Sequence, residues 1–271
     1  MNKHIRNYLR SFKVNKAFLY TLIIDVVAIL LILGIVLAFG KVLGDKAFAL
    51  SDGKTAEQLK VELLSGTEEQ ALEFLAKAKS FVFVFFAGTV LTFLLLMMAF
   101  SFSRAFLWNK IKRSKLTRKN FWRWNGISLI ILFLAGAYFL IFAIFRIAFN
   151  VIFPLVGNTI YFVFAKAVTL FFQLTFLLFV FLVFYSFVHK YKAWESVSDA
   201  FNLIKVHWNR IWRMFLLSLL TILLISLVLY PLGKAFFYRQ NLMTIINVVV
   251  LVLFMSWQRI YMLKIVGPIK E

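Results

Sequence analysis

Residues 81–103 read FVFVFFAGTVLTFLLLMMAFSFS, twenty-three positions without a charged side chain. A run beyond about 18 apolar residues is long enough to cross a bilayer as a helix. Five more runs of this kind lie at about 17–40, 127–153, 159–188, 214–232 and 242–261. The third and fourth in chain order exceed what a ~30 Å hydrocarbon layer requires, which predicts tilt or protruding ends. Across all 271 residues 63% are hydrophobic and only 15% charged, against about 25% in soluble domains. Lipid offers backbone groups no partner outside their own segment, so these runs are expected to be helices. A β-barrel would instead alternate over segments of about ten residues. The predicted class is an all-α integral membrane protein with six transmembrane helices.

The first run is preceded by a basic segment, and Ala47-Phe48-Ala49 has the form of a signal-peptidase site. The run is too long for a secretory apolar core, and the Ala-x-Ala lies beyond its end, so an uncleaved anchor is expected.

Charge sets the expected orientation. The segments 1–16, 104–124, 189–213 and 258–271 carry 21 Lys and Arg, against eight in the alternate connections. Seven of the eleven acidic residues fall in 41–80. The positive-inside rule then places both termini and both basic loops in the cytoplasm, with the chain in the cell membrane. The net charge of +20 is distributed beside spans, so anionic lipid headgroups are the expected partner and nucleic acid is not.

Before the fifth run comes ESVSDAFNLIKVHWNRIWRMF, residues 195–215. Val197, Ala200, Phe201, Ile204, Trp208, Ile211, Trp212 and Phe215 recur at helical spacing, with Lys205, Asn209, Arg210 and Arg213 largely on the other side. Ser196 and Asp199 suggest a capping start. The segment 189–213 is expected to carry a cytoplasmic amphipathic helix in the interface plane, with Trp208, Trp212, Arg210 and Arg213 as anchors. LTRKNFWRWN (116–125) brings Trp122 and Trp124 to the third span in the same way, and Ile5, Tyr8, Leu9 and Phe12 form a similar face before the first. Three tandem hairpins, roughly 1–107, 108–190 and 191–271, would account for the recurrence.

The connection 41–80 contains KTAEQLKVELL (54–64) and GTEEQALEFL (66–75). Thr55 with Gln58, and Thr67 with Gln70, have capping-box spacing. A small external helical hairpin is expected there, as a cap or a docking point for a protein partner.

Chemical motifs are lacking. The chain has no cysteine, and the sequences of metalloprotease, nucleotide-binding and hydrolase motifs are absent, so no catalytic residue, metal ligand or cofactor is assigned. The run SVSDAFNLIKVHWNRIWRMFLLSLLTILL (196–224) resembles a pattern in polytopic membrane proteins that include the membrane domain accompanying some glycerophosphodiester phosphodiesterases. Ala200, Trp208, Arg210, Trp212 and Arg213 fill its characteristic places. The resemblance implies membrane architecture alone, because the catalytic phosphodiesterase domain has no counterpart.

Charges inside the spans are the remaining signal. Arg146 and Lys166 flank the turn through Pro154 at similar distances, and Asp25 lies about eight residues into the first span. An intramembrane charge is a functional-site candidate by default. Either the two cations snorkel to headgroups while a hydroxyl or a proton satisfies Asp25, or all three serve a polar site for an anionic lipid or solute. The expected function is a non-enzymatic accessory or transport-associated membrane protein. A transporter using Arg146 and Lys166, or an integral-membrane enzyme acting on lipid, is the alternative.

Overall fold

The computed structural model describes residues 3–112, 117–152, 158–236 and 238–267. Among them lie nine helices and no strand: α1 (Lys3–Ser11), α2 (Lys16–Ser51), α3 (Ala56–Ser65), α4 (Glu68–Lys112), α5 (Arg118–Ile152), α6 (Asn158–Lys190), α7 (Ala193–Val206), α8 (Trp208–Ala235) and α9 (Gln240–Val266). Six of them, α2, α4, α5, α6, α8 and α9, are long and apolar enough to cross a membrane, one for each expected span. The chain forms two compact units, residues 27–102 and residues 1–26 with 103–271.

The unit 27–102 is built from α2, α3 and α4. The connection 41–80 differs from the expected separate hairpin, because α2 runs on to Ser51 and α4 already begins at Glu68. The flanking sequences are rich in Ala, Leu, Lys and Glu and contain no proline, so nothing stops the span helices where apolar character fades. Asp52 and Gly53 do stop α2, both at positive φ (46° and 73°). Both predicted capping boxes form. Gln58 N–H donates to Thr55 Oγ1 and Thr55 N–H to the Gln58 side chain, and the Thr67–Gln70 pair repeats the exchange. The second box therefore starts α4 itself. Lys54 pairs with Glu62 at 2.6 Å, and Lys77 with Asp52 and Glu73 at 3.3 and 3.0 Å. All are exposed pairs, worth little each.

Within the same unit Gly88 of α4 faces Phe39 of α2 closely enough that a Cβ at Gly88 would stand 2.5 Å from the ring edge. A small residue at this place lets one helix accept an aromatic ring from the other.

In the other unit the core gathers at the end of the bundle where α1 and the C-terminal part of α9 meet. Residues 181–188 of α6 are buried on every face, and around them lie buried stretches of α4, α5 and α9. Elsewhere its long helices carry large exposed apolar side chains, among them Phe133 and Leu227, as lipid-facing surfaces do. The helix α1 is fastened to α8 and α9. Tyr8 hydroxyl hydrogen-bonds Thr221 at 2.8 Å, Trp257 Nε1 donates to Ser11 Oγ at 2.9 Å, and Phe12 stacks on Trp257 at 5.0 Å.

The helix expected over 195–213 is broken. α7 ends at Val206, His207 adopts a non-helical conformation (φ −112°, ψ 29°), and α8 restarts at Trp208. No glycine or proline marks this break in the sequence. α7 begins at Ala193 without a side-chain cap, and Ser196 hydroxyl donates to Lys192 carbonyl rather than capping. Ser196, Val197, Ala200 and Leu203 are buried, while Phe201 is exposed, so α7 packs one stripe on the bundle. The segment 116–125 differs again: from Arg118 it is simply the first turns of α5, so no separate short helix precedes the third span among the described residues, whereas α1 and α7 precede the first and fifth.

Replacing Gly88 with Val should destabilise the protein by about 1–3 kcal/mol through overpacking. Adding Phe39→Ala in the same chain should recover most of that loss, as measured by unfolding in detergent micelles.

Candidate functional site

The charge that the sequence sinks deepest meets partners that the sequence reading assigned to the membrane surface. Asp25 lies nine residues from the start of α2, Arg104 eight from the end of α4, and Arg259 seven from the end of α9. At 1.5 Å per residue each is about 10–14 Å from the end of its helix, so three long helices bring them to one level. Arg259 Nη1 donates to Asp25 Oδ2 at 2.9 Å and Nη2 to Oδ1 at 3.4 Å. Arg104 Nη2 stands 2.8 Å from Oδ1, and Ser256 hydroxyl donates to Oδ2 at 3.0 Å. Each carboxylate oxygen thus accepts two hydrogen-bonding groups, which is the acceptor capacity of an ionised carboxylate.

The surroundings are dry and shaped by α6. Asp25 is 3%, Arg104 7% and Arg259 0% exposed. Phe181 of α6 lies beneath the Arg259 guanidinium, 5.1 Å from ring centroid to Cζ. Ser256 and Arg259 stand three apart on α9 and so share a face. On α2, Thr21, Ile24, Asp25 and Ala28 form the buried stripe. This is an arginine–aspartate–arginine cluster that joins the first, second and sixth spans. More polar side chains share this end of the bundle. Gln258 is fully buried with neither amide atom bonded among the described residues, and the Ser128 and Ser186 hydroxyls and the indole N–H of Trp108 are buried without a bond in the same way.

The other sequence candidates fall elsewhere. Arg146 and Lys166 are both exposed, on α5 and α6, and neither is among the groups around Asp25. Asp25 has a neighbouring hydroxyl, as expected, but its main partners are the two guanidinium groups. Trp208, Trp212, Arg210 and Arg213 are exposed on α8, and the two indoles stack at 5.6 Å. Trp122 and Trp124 separate. Trp122 is 59% exposed, whereas Trp124 is fully buried, with its ring 4.8 Å from Phe187 and 5.5 Å from Phe184. Two residues along a helix is about 200° of rotation, so neighbouring tryptophans cannot both face the interface. Trp124 is a core residue. No group of three metal-ligating side chains occurs among the described residues.

Arg104 and Arg259 escaped the sequence reading because each stands at the edge of an apolar run, where basic residues ordinarily act as topogenic anchors. A signal was present. Arg259 falls just inside the sixth apolar run, a cation within the same kind of segment that holds Asp25.

Asp25→Asn should destabilise the fold by about 3–5 kcal/mol, because it leaves two guanidinium groups buried without their counter-charge. A triple replacement by methionine at Asp25, Arg104 and Arg259 should return close to parental stability, since apolar substitutes for a whole buried ion cluster are often neutral. Denaturant midpoints in detergent check both.

Searches against protein-family models, curated proteins and solved structures find no match to this chain.

Proposed function

We propose that this chain is a non-enzymatic integral membrane protein, an accessory or structural component of the cell membrane that contacts anionic lipid. The observation that carries the reading is Asp25. It is the acid on which an intramembrane general base or ion relay would have to be built. Its two oxygens are already occupied by Arg104, Arg259 and Ser256, with no lone pair left for a substrate. A side chain spent in this way holds helices together. Arg146 and Lys166, exposed on separate helices, suit contacts with headgroups reached by their long stems.

The proposed orientation has both termini in the cytoplasm, following the bias of Lys and Arg. The exposed connection 52–67 would then be external and would form the docking point for a protein partner. With no cysteine in the background, single replacements report the topology directly. Ser65→Cys and Asn241→Cys should react with an impermeant maleimide added to intact cells, and Ser198→Cys should react only after permeabilisation. Labelling of Ser198→Cys in intact cells would reverse the orientation.

The function itself is tested in cells lacking the gene. If the cluster is structural, the triple methionine variant at Asp25, Arg104 and Arg259 should restore whatever growth or envelope phenotype the deletion causes. A variant that folds normally but fails to restore it would make the cluster a working site and overturn the reading.

A further inference from the structure

Two stretches near opposite ends of the chain bring three cations to one carbonyl oxygen. Arg10 lies in the last turn of α1, Lys13 follows just after that helix, and Lys264 lies in the last turn of α9. The Arg10 carbonyl accepts the Lys13 backbone N–H at 3.3 Å and the Lys264 ammonium at 2.6 Å. Both of its lone pairs are then used, which pins the end of α1 to α9. The contacts of Tyr8 and Phe12 with the Trp257 ring, and the hydrogen bond from Trp257 to Ser11, hold α1 in that place. Arg10 and Lys13 are exposed, and Lys264 is half-buried.

Charge does not balance at this point. Arg10 and Lys13 both repel the Lys264 ammonium, and no acidic side chain among the described residues pairs with any of the three. Asp25 on α2 is already held by Arg104 and Arg259. The C-terminal end of α1 supplies the equivalent of about −0.5 of a charge, which offsets only part of one cation. The ammonium of Lys264 spends one of its three donors on the carbonyl, and Arg10 adds a planar guanidinium. The group that answers such a cluster concentrates up to two negative charges and three acceptor oxygens on one atom, which describes a phosphate monoester. Arg10 and Lys13 precede the first apolar run, and Lys264 follows the sixth by three residues, so the cluster stands where headgroup phosphates lie. We propose that Arg10, Lys13 and Lys264 form a binding site for a phosphate monoester, the chemistry that phosphatidic acid and free phosphate share. This deepens the proposed contact with anionic lipid and rests on that reading.

The probe is an equimolar mixture of dioleoyl phosphatidic acid, a monoester, and dioleoyl phosphatidylglycerol, a diester. It is added to the full-length protein in detergent, and the retained lipid is read by native mass spectrometry. The parent should retain phosphatidic acid in preference to phosphatidylglycerol. Arg10→Gln with Lys13→Gln should lower the retained phosphatidic acid at least about tenfold, because two of the three charges on the phosphate are gone. Both side chains are exposed and Lys264 still caps α1, so this variant should keep the parental denaturant midpoint. Arg210→Gln with Arg213→Gln removes the same charge from α8 and should bind phosphatidic acid like the parent. Excess inorganic phosphate separates the two sources. Displacement of the lipid assigns the site to the free phosphate group, persistence assigns it to the lipid, and either supports it. Equal retention of both lipids by the parent, or the same loss in the two double variants, overturns the site. Those results leave the complementation test of the Asp25 cluster untouched, so this proposal can fail while the accessory role stands.

Discussion

A carboxylate buried among apolar helices has to be answered from within the protein, and Asp25 sets that requirement where α2, α4 and α9 meet. Apolar neighbours offer neither donors nor counter-charge. Both of its oxygens must therefore be saturated by side chains, and those side chains come from the second and sixth spans. Packing of apolar helices in lipid has no hydrophobic drive of its own, so small residues and hydrogen bonds carry much of the specificity. Here the cluster fixes the register of three helices at once. A one-turn slide of α9 would move Arg259 about 5 Å and leave the carboxylate with Arg104 alone.

Around that fixed point α6 acts as the shared neighbour. It supplies Phe181 beneath Arg259, Phe184 between Trp108 and Trp124, and Phe187 against Trp124. Farther along, the same helix lines an apolar groove with α5, α7 and α8. One face thus contributes to the polar cluster and another to that groove. Neighbours on α4, α5 and α9 bury residues 181–188 throughout, although the sequence there looks like any other lipid-facing run.

What could be read from the sequence follows from which signals are local. Six spans were legible because twenty apolar residues in a row have one physical solution in lipid. The Thr55–Gln58 and Thr67–Gln70 caps were legible because both partners lie within four residues. The partners of Asp25 were not, since Arg104 and Arg259 are 79 and 234 positions away and each sits where a topogenic charge is also expected. Trp124 was misread for a related reason: a tryptophan beside basic residues satisfies the interface pattern, and only the neighbouring helix decides which way it faces. The break at His207 has no residue signature at all. It reflects α7 packing its Ser196–Ala200–Leu203 stripe onto the bundle before the fifth span begins.

The separation of Asp25 from Arg259 also has a meaning in time. During synthesis the aspartate emerges with the first span, and the arginine follows 234 residues later, with the last. At 5–20 residues per second that interval is roughly 12–47 s. Arg104 appears partway and can engage one oxygen, but the bidentate partner belongs to the final helix. The unfinished protein therefore carries a half-answered charge through most of its own assembly, and arrival of the C-terminal helix closes the bundle. A chain lacking α9 would hold Asp25 with Arg104 alone, without Arg259 and Ser256.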